Sequence, residues 1–159
     1  MRASKALLAV PLALALAACG GGSDGGPNGD GGRKAAGKPV RGATVTVADS
    51  GLGSILVDGQ GRTLYAFTKD KDTSGSCGTE CIAVWPALTG SSPATAGRGV
   101  EAGLLRDERR PGGAVHVAYG DWPLYYYVGD DAAGDVNGQG LDGEWFAVSP
   151  DGKLVRTAP

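Results

Sequence analysis

The chain has 159 residues, with 15 basic and 17 acidic side chains, one histidine and a formal net charge of −2. That balance, without a basic tract, argues against nucleic acid as a partner. The cysteine count of three is odd, so one thiol needs a role other than an intrachain disulfide.

Arg2 and Lys5 lead into the apolar run ALLAVPLALALAA, Ala6 to Ala18. A bilayer span takes about 20 apolar residues, so this shorter run reads as an export signal over 1–18. Its end, LAAC from Leu16 to Cys19, resembles the lipobox of bacterial lipoprotein signals. The resemblance implies cleavage before Cys19 and attachment of its sulfur to diacylglycerol, with palmitate-type chains holding the protein to the cell membrane, outside the cytoplasm. Each buried methylene contributes about 0.8 kcal/mol, so two chains anchor a protein where one is marginal. Cys77 and Cys81 then remain as an even pair in an oxidising compartment. Removing the signal takes away Arg2 and Lys5, leaving 13 basic and 17 acidic residues and a net charge of about −4. From Gly20 to Gly42 almost nothing apolar is available to bury, so 19–42 is expected to be the lipidated Cys19 and a flexible Gly-rich tether. Residues 43–159, about 117 in number, suffice for one domain.

Shifting that domain against itself by sixty residues places Gly53 on Gly113, Val57 on Val117, Leu64 and Tyr65 on Leu124 and Tyr125, and Asp70 on Asp130. In the same register Gly78 falls on Gly138, Trp85 on Trp145 and Ala87 on Ala147. Two related units follow, about 44–88 and 113–159. Between them the chain is rich in small and charged residues, and only Val100 to Leu105 is expected to form a short helix or strand.

Ala43 to Ala48 alternates at period two, and Ser54 to Phe67 reads as a hairpin turning through Gly59 and Gly61. Ala114 to Val128 repeats the plan with a turn near Asp121, and Glu144 to Arg156 is a further hairpin turning at Pro150-Asp151-Gly152. No window of about eleven residues carries an amphipathic helical period. The expected fold is a mainly β, compact single domain of short antiparallel strands built from two repeats. Tyr65 and Phe67 share one strand face while Ala66 takes the other, and Tyr125 and Tyr127 share a face in the second unit. Asp70 and Asp130 come just beyond, where a carboxylate can accept backbone N–H groups of the following turn. The tyrosine rings are thus expected to fill the core, the aspartates to organise turns, and Trp85 and Trp145 to occupy equivalent core positions.

A doubled Tyr-x4-Asp motif with an aromatic two residues past each Tyr is carried by Tyr65, Phe67 and Asp70 and by Tyr125, Tyr127 and Asp130. With SCGTECIAVWPAL after the first copy, GDVNGQGLDGEWFAV after the second and the lipobox in front, the chain resembles the bacterial secreted-repeat lipoproteins with the Yx(FWY)xxD motif. The resemblance covers nearly the whole mature domain. It implies an envelope lipoprotein whose biochemical function is not established.

Cys77 and Cys81, with three residues between them in an expected loop, suit a structural disulfide worth about 2 kcal/mol. A redox pair would want Cys-x-x-Cys at a helix start, and a metal site wants more ligands than the lone His116 adds. His116, opposite Val115 and Val117 on an alternating strand, reads as a solvated side chain. In the loop from Gly129 to Glu144, Asp130, Asp131, Asp135, Asn137 and Asp142 form a candidate calcium site. Asp135, Asn137, Gln139 and Gly140 echo half of a calcium loop, but Phe146 stands at its twelfth position where a Glu is required. Gly138 to Gly143 fits G-x-G-x-x-G by letter alone, with no βαβ unit around it. Trp122, whose counterpart position holds Arg62, is with Tyr126 a candidate for an exposed aromatic surface.

The favoured reading is a noncatalytic envelope module that binds a protein or glycan through aromatic and acidic loops. The alternative is a metal-binding or redox-accessory lipoprotein using the acidic loop or Cys77, Cys81 and His116. A third is an extracellular enzyme using Asp70 and Asp130 as acid and base, one with a raised pKa.

Overall fold

The computed structural model describes residues 42–71, 76–90, 93–110 and 114–158. The expected signal, Cys19 and all but the last residue of the tether lie outside them. Thr44–Ser50 forms β1 and Gly53–Asp58 forms β2, an antiparallel pair in register from Val45 with Asp58 to Ser50 with Gly53. Past β2 the chain turns as expected: Asp58 N–H donates to Arg62 O at 2.9 Å, and Val57 and Thr63 bridge.

The expected hairpin does not continue beyond that bridge. Tyr65–Phe67 forms β3, which pairs not with β2 but with β9, Trp145–Ala147, in the second unit. All three residues of β3 are buried, and the second unit supplies the strand and aromatic face they need. Two-sided burial suits a central strand, whose partner need not be its neighbour in sequence.

Thr89–Gly90, Thr95–Ala96, Leu105–Arg109, Val115–Tyr119 and Trp122–Pro123 form β4 to β8. A second sheet runs in the order β4-β7-β6, with β8 also pairing β7. The stretch between the repeats is therefore more structured than its composition suggests. A 3₁₀ turn at Ala102–Leu104 leads into β6, a charged edge strand, while β5 lies parallel to β1, an exception to the otherwise antiparallel plan. Arg, Asp and Glu on β6 fit an edge position, where charge discourages further strand pairing.

Period-two alternation sends neighbours to different cores. Leu56, Leu64, Ala66, Val117, Leu124 and Val148 pack in one cluster, while Ile55, Val57, Tyr65, Phe67, Tyr125 and Ala147 pack in the other. The final hairpin forms as read: Val148 bridges Leu154, and Gly152 takes φ 77 at the turn, a conformation that favours glycine.

The cysteine segment is a correction in detail. Thr79–Val84 is a short helix, α1, so Cys81 lies on a helix and not in a loop. Cys77 and Cys81 are joined, with Cα atoms 5.2 Å apart, and pack against the core beside Trp85. Replacing both by serine should lower stability by about 2 kcal/mol, the value of so small a ring in the chain-entropy account. Urea unfolding tests the magnitude, and alkylation before reduction should label neither cysteine.

Candidate functional site

The two repeat motifs meet at one point. Tyr65 N–H donates to Tyr125 O and Tyr125 N–H to Tyr65 O, each at 2.9 Å. From this reciprocal pair the contacts run outward in matching fashion. Phe67 lies opposite Trp145 on β3 and β9; sixty residues on, Tyr127 stacks on Trp85. Thr68 N–H donates to Glu144 O, and in the same relation Val128 N–H donates to Val84 O. An approximate twofold relation between the repeats accounts for all of these pairs.

The rings fill the space between the repeats. Trp85 and Trp145 are stacked with centroids 3.8 Å apart and planes at 1°. Phe67 covers Trp145 at 4.4 Å and Tyr127 covers Trp85 at 4.5 Å, so four rings form one continuous pile. Tyr65 meets Trp85 edge-on at 5.5 Å, and Tyr125 meets Trp145 in the same way at 5.4 Å. Stacked and edge-on aromatic pairs each add about 0.5–1.5 kcal/mol beyond burial. Gly138 lies against the pile. A Cβ there would be 2.8 Å from Tyr65 Cζ and 2.9 Å from Trp85 Cη2, so the backbone can pass only as glycine.

The hydroxyls cross the junction. Tyr125 donates to Asp70 Oδ2 at 2.5 Å, and Tyr65 donates to Asp130 Oδ2 at 2.8 Å. Each aspartate uses its other oxygen on its own loop: Asp70 Oδ1 accepts Ser76 N–H at 2.8 Å and Asp130 Oδ1 accepts Asn137 N–H at 2.9 Å. The aspartates do organise loops, but each also binds the tyrosine of the other repeat. Burial, followed by the neighbouring carboxylate, holds both phenols far above their ordinary pKa, so they remain donors. Burial also raises the pKa of Asp130.

Residues 46–89 and 109–149 each match a family described as a secreted repeat of unknown function. The chain belongs to that family. No curated protein and no solved structure matches it. Membership makes this an exported protein. The two segments matched as family repeats are the ones that exchange tyrosine, aspartate and tryptophan contacts at the junction.

Asp135 Oδ2 accepts the N–H groups of Asp131 and Ala132, and Asn137 Nδ2 donates to Gly129 O. With Asp130 engaged by Tyr65 and Asn137, three of the five proposed calcium residues hold the loop together. Among the described residues no group of three or more His, Cys, Asp and Glu side chains converges as a metal site would require. Trp122 corrects the candidate aromatic surface: it is buried on β8, packed in the core cluster with Leu124 and Val148. Tyr126 is partly buried, with the Arg62 guanidinium 4.1 Å from its ring centroid. His116 corrects the solvated reading, because it is only 3% exposed. The strand face opposite Val117 is occupied by the Tyr125 ring, whose centroid is 4.8 Å from the imidazole.

Three buried polar residues, Asp58, Thr63 and Gln139, have roles that the sequence pattern does not assign. Thr63 Oγ1 donates to Asp135 O at 2.6 Å. Asp58 is 5% exposed and accepts from the Gln60 and Arg62 amides, the Arg62 guanidinium and Tyr126 O–H. Its position before Gly59-Gln60-Gly61 was the available signal for an Asx turn. Gln139 accepts Ala147 N–H and donates to Val155 O and Thr157 O, tying the acidic loop to the last hairpin. Nothing local to Gln139 announces that role.

Proposed function

We propose that this exported protein is a noncatalytic binding or interaction module, held at the cell envelope by a lipid on Cys19. The observation that carries the reading is the commitment of the motif's chemistry to the junction: both Tyr–Asp pairs are satisfied across the repeats and the tryptophans are stacked between them. A general acid or base must reach a substrate proton, and these carboxylates instead hold a loop amide and a phenol. A surface depression lined by Val47, Ala48, Asp49, Arg98 and Gly99 includes none of the Tyr–Asp pairs or stacked rings. The acidic loop is the surface this reading assigns to recognition, since Asp131 and Asp142 there are exposed. Its partner is an envelope protein or glycan with basic or hydrogen-bond-donating groups.

The test is co-sedimentation of the purified chain with isolated envelope glycan and, separately, with solubilised envelope protein. Asp131→Asn with Asp142→Asn should weaken capture and leave the melting temperature unchanged. The reading fails if a substrate is turned over and Asp70→Asn or Asp130→Asn abolishes that turnover at unaltered stability. Radiolabelled fatty acid incorporation, lost on Cys19→Ala, tests the anchor.

A further inference from the structure

His116 on β7 is fixed from both sides by groups that allow it only one protonation state. Its Nε2 is 2.9 Å from Leu124 O, a carbonyl that can only accept, so Nε2 carries a hydrogen. Its Nδ1 is 3.0 Å from Arg110 Nη2, and a guanidinium can only donate, so Nδ1 presents its lone pair. The imidazole is therefore neutral. A second proton would land on Nδ1, with no acceptor among the described residues and a permanent cation in hydrogen-bond range.

The surroundings give little relief. Glu108, paired with His116 across β6 and β7, has Oε2 3.7 Å from Arg110 Nη2. Tyr125 packs edge-on to the imidazole, and its hydroxyl is engaged by Asp70. Thr89, opposite His116 on β4, carries no charge. Burial acts first in lowering the His116 pKa, and Arg110 adds to it, against the opposing pull of Leu124 O, Glu108 and Asp70. Arg110 is itself imperfectly satisfied, since its Nε is buried without a hydrogen-bond partner among the described residues. Its amide donates to Ala114 O at 2.9 Å, so the same residue closes the end of the β6–β7 pair.

We propose that Arg110 and His116 form an acid-released latch on the β6–β7 edge, where the inter-repeat strand meets the second repeat. Protonation of the imidazole expels the guanidinium and frees that end of the strand pair. An exported protein meets the pH of its surroundings, so such a device would respond to external acid.

The sign follows from linkage. A folded-state pKa below the ordinary value of about 6.5 gives stability that is full above about pH 6.5 and is lost as pH falls toward the lowered value. Asp130 acts in the opposite sense, because its raised pKa makes the folded state bind that proton more tightly. A variant comparison separates the two.

The experiment follows the His116 ring nitrogens by NMR and amide exchange at Arg110 in the whole domain. The wild type should show a proton on Nε2, a midpoint below the ordinary histidine value, and Arg110 exchange, corrected for intrinsic rates, rising with acid. Between about pH 6.5 and that midpoint the rise should approach about tenfold per pH unit, the slope of one coupled proton. His116→Gln should flatten it. Arg110→Met, which removes the opposing donor at a partly exposed position, should move the His116 midpoint upward, while Arg110→Lys should keep it low. An ordinary midpoint, a midpoint indifferent to Arg110→Met, or Arg110 exchange unaffected by acid would overturn the latch.

Discussion

Trp85→Ala and Trp145→Ala should each destabilise the protein by about 3–5 kcal/mol, the usual range for removing a buried large aromatic. Each indole is nearly inaccessible, at 5% and 3%, and each has a ring on both faces and a tyrosine edge against it. Collapse cannot refill such a space, because Gly138 brings backbone against the Trp85 ring and the strands flanking Trp145 are pinned by the β3–β9 pairing. A domain of this size has about 5–15 kcal/mol of stability, so either change removes a large part of it. Urea unfolding should show the midpoint falling without a matching change in slope. The two losses should not add. Once one indole is gone, the other has already lost its central partner, so the double variant should be less damaged than the two single losses combined. Trp122→Phe, in the other core cluster, should add to either within about 0.5 kcal/mol. Additive losses for Trp85 and Trp145 would contradict a shared stack as the joint between the repeats.

The sixty-residue register picked out Tyr65 with Tyr125 and Trp85 with Trp145, because duplication preserves spacing whatever the contacts. Strand alternation separated Tyr65 and Phe67 from Ala66, and the structure sends them to different cores. Partner choice was not legible. A three-residue strand such as β3 carries the same alternation whether it pairs with β2 or with β9, and the decision rests on aromatic rings nearly eighty residues away. For the same reason the aspartates were half understood: their loop amides lie six and seven residues ahead, while their tyrosines lie in the other repeat. His116 departs from the solvated expectation because a polar residue on an alternating strand faces water only if nothing covers that face. Here Tyr125 and Arg110 do.

That crossed arrangement predicts where energetic coupling will be found. Tyr125→Phe should cost about 2–3 kcal/mol, because it takes a donor from a carboxylate that is only 2% exposed, and bonds to charged groups are worth about 1.5–3 kcal/mol. Tyr65→Phe should cost about 1–2 kcal/mol: Asp130 is half-buried and water can replace the phenol there, although Gly138 N–H also loses its acceptor at 3.2 Å. A double-mutant cycle gives the sharper result. Tyr125→Phe with Asp70→Asn, and Tyr65→Phe with Asp130→Asn, should each show coupling of about 1–2 kcal/mol. Tyr65→Phe with Asp70→Asn, residues of a single Tyr-x4-Asp motif, should be additive within about 0.5 kcal/mol, since their hydrogen bonds run to different partners. The spacing inside the motif would then be a consequence of the twofold relation: five positions after a tyrosine that reaches across the junction comes the acceptor for the tyrosine reaching back. Coupling within a motif and none between the repeats would refute that account, and would return Asp70 and Asp130 to purely local duty at their own turns.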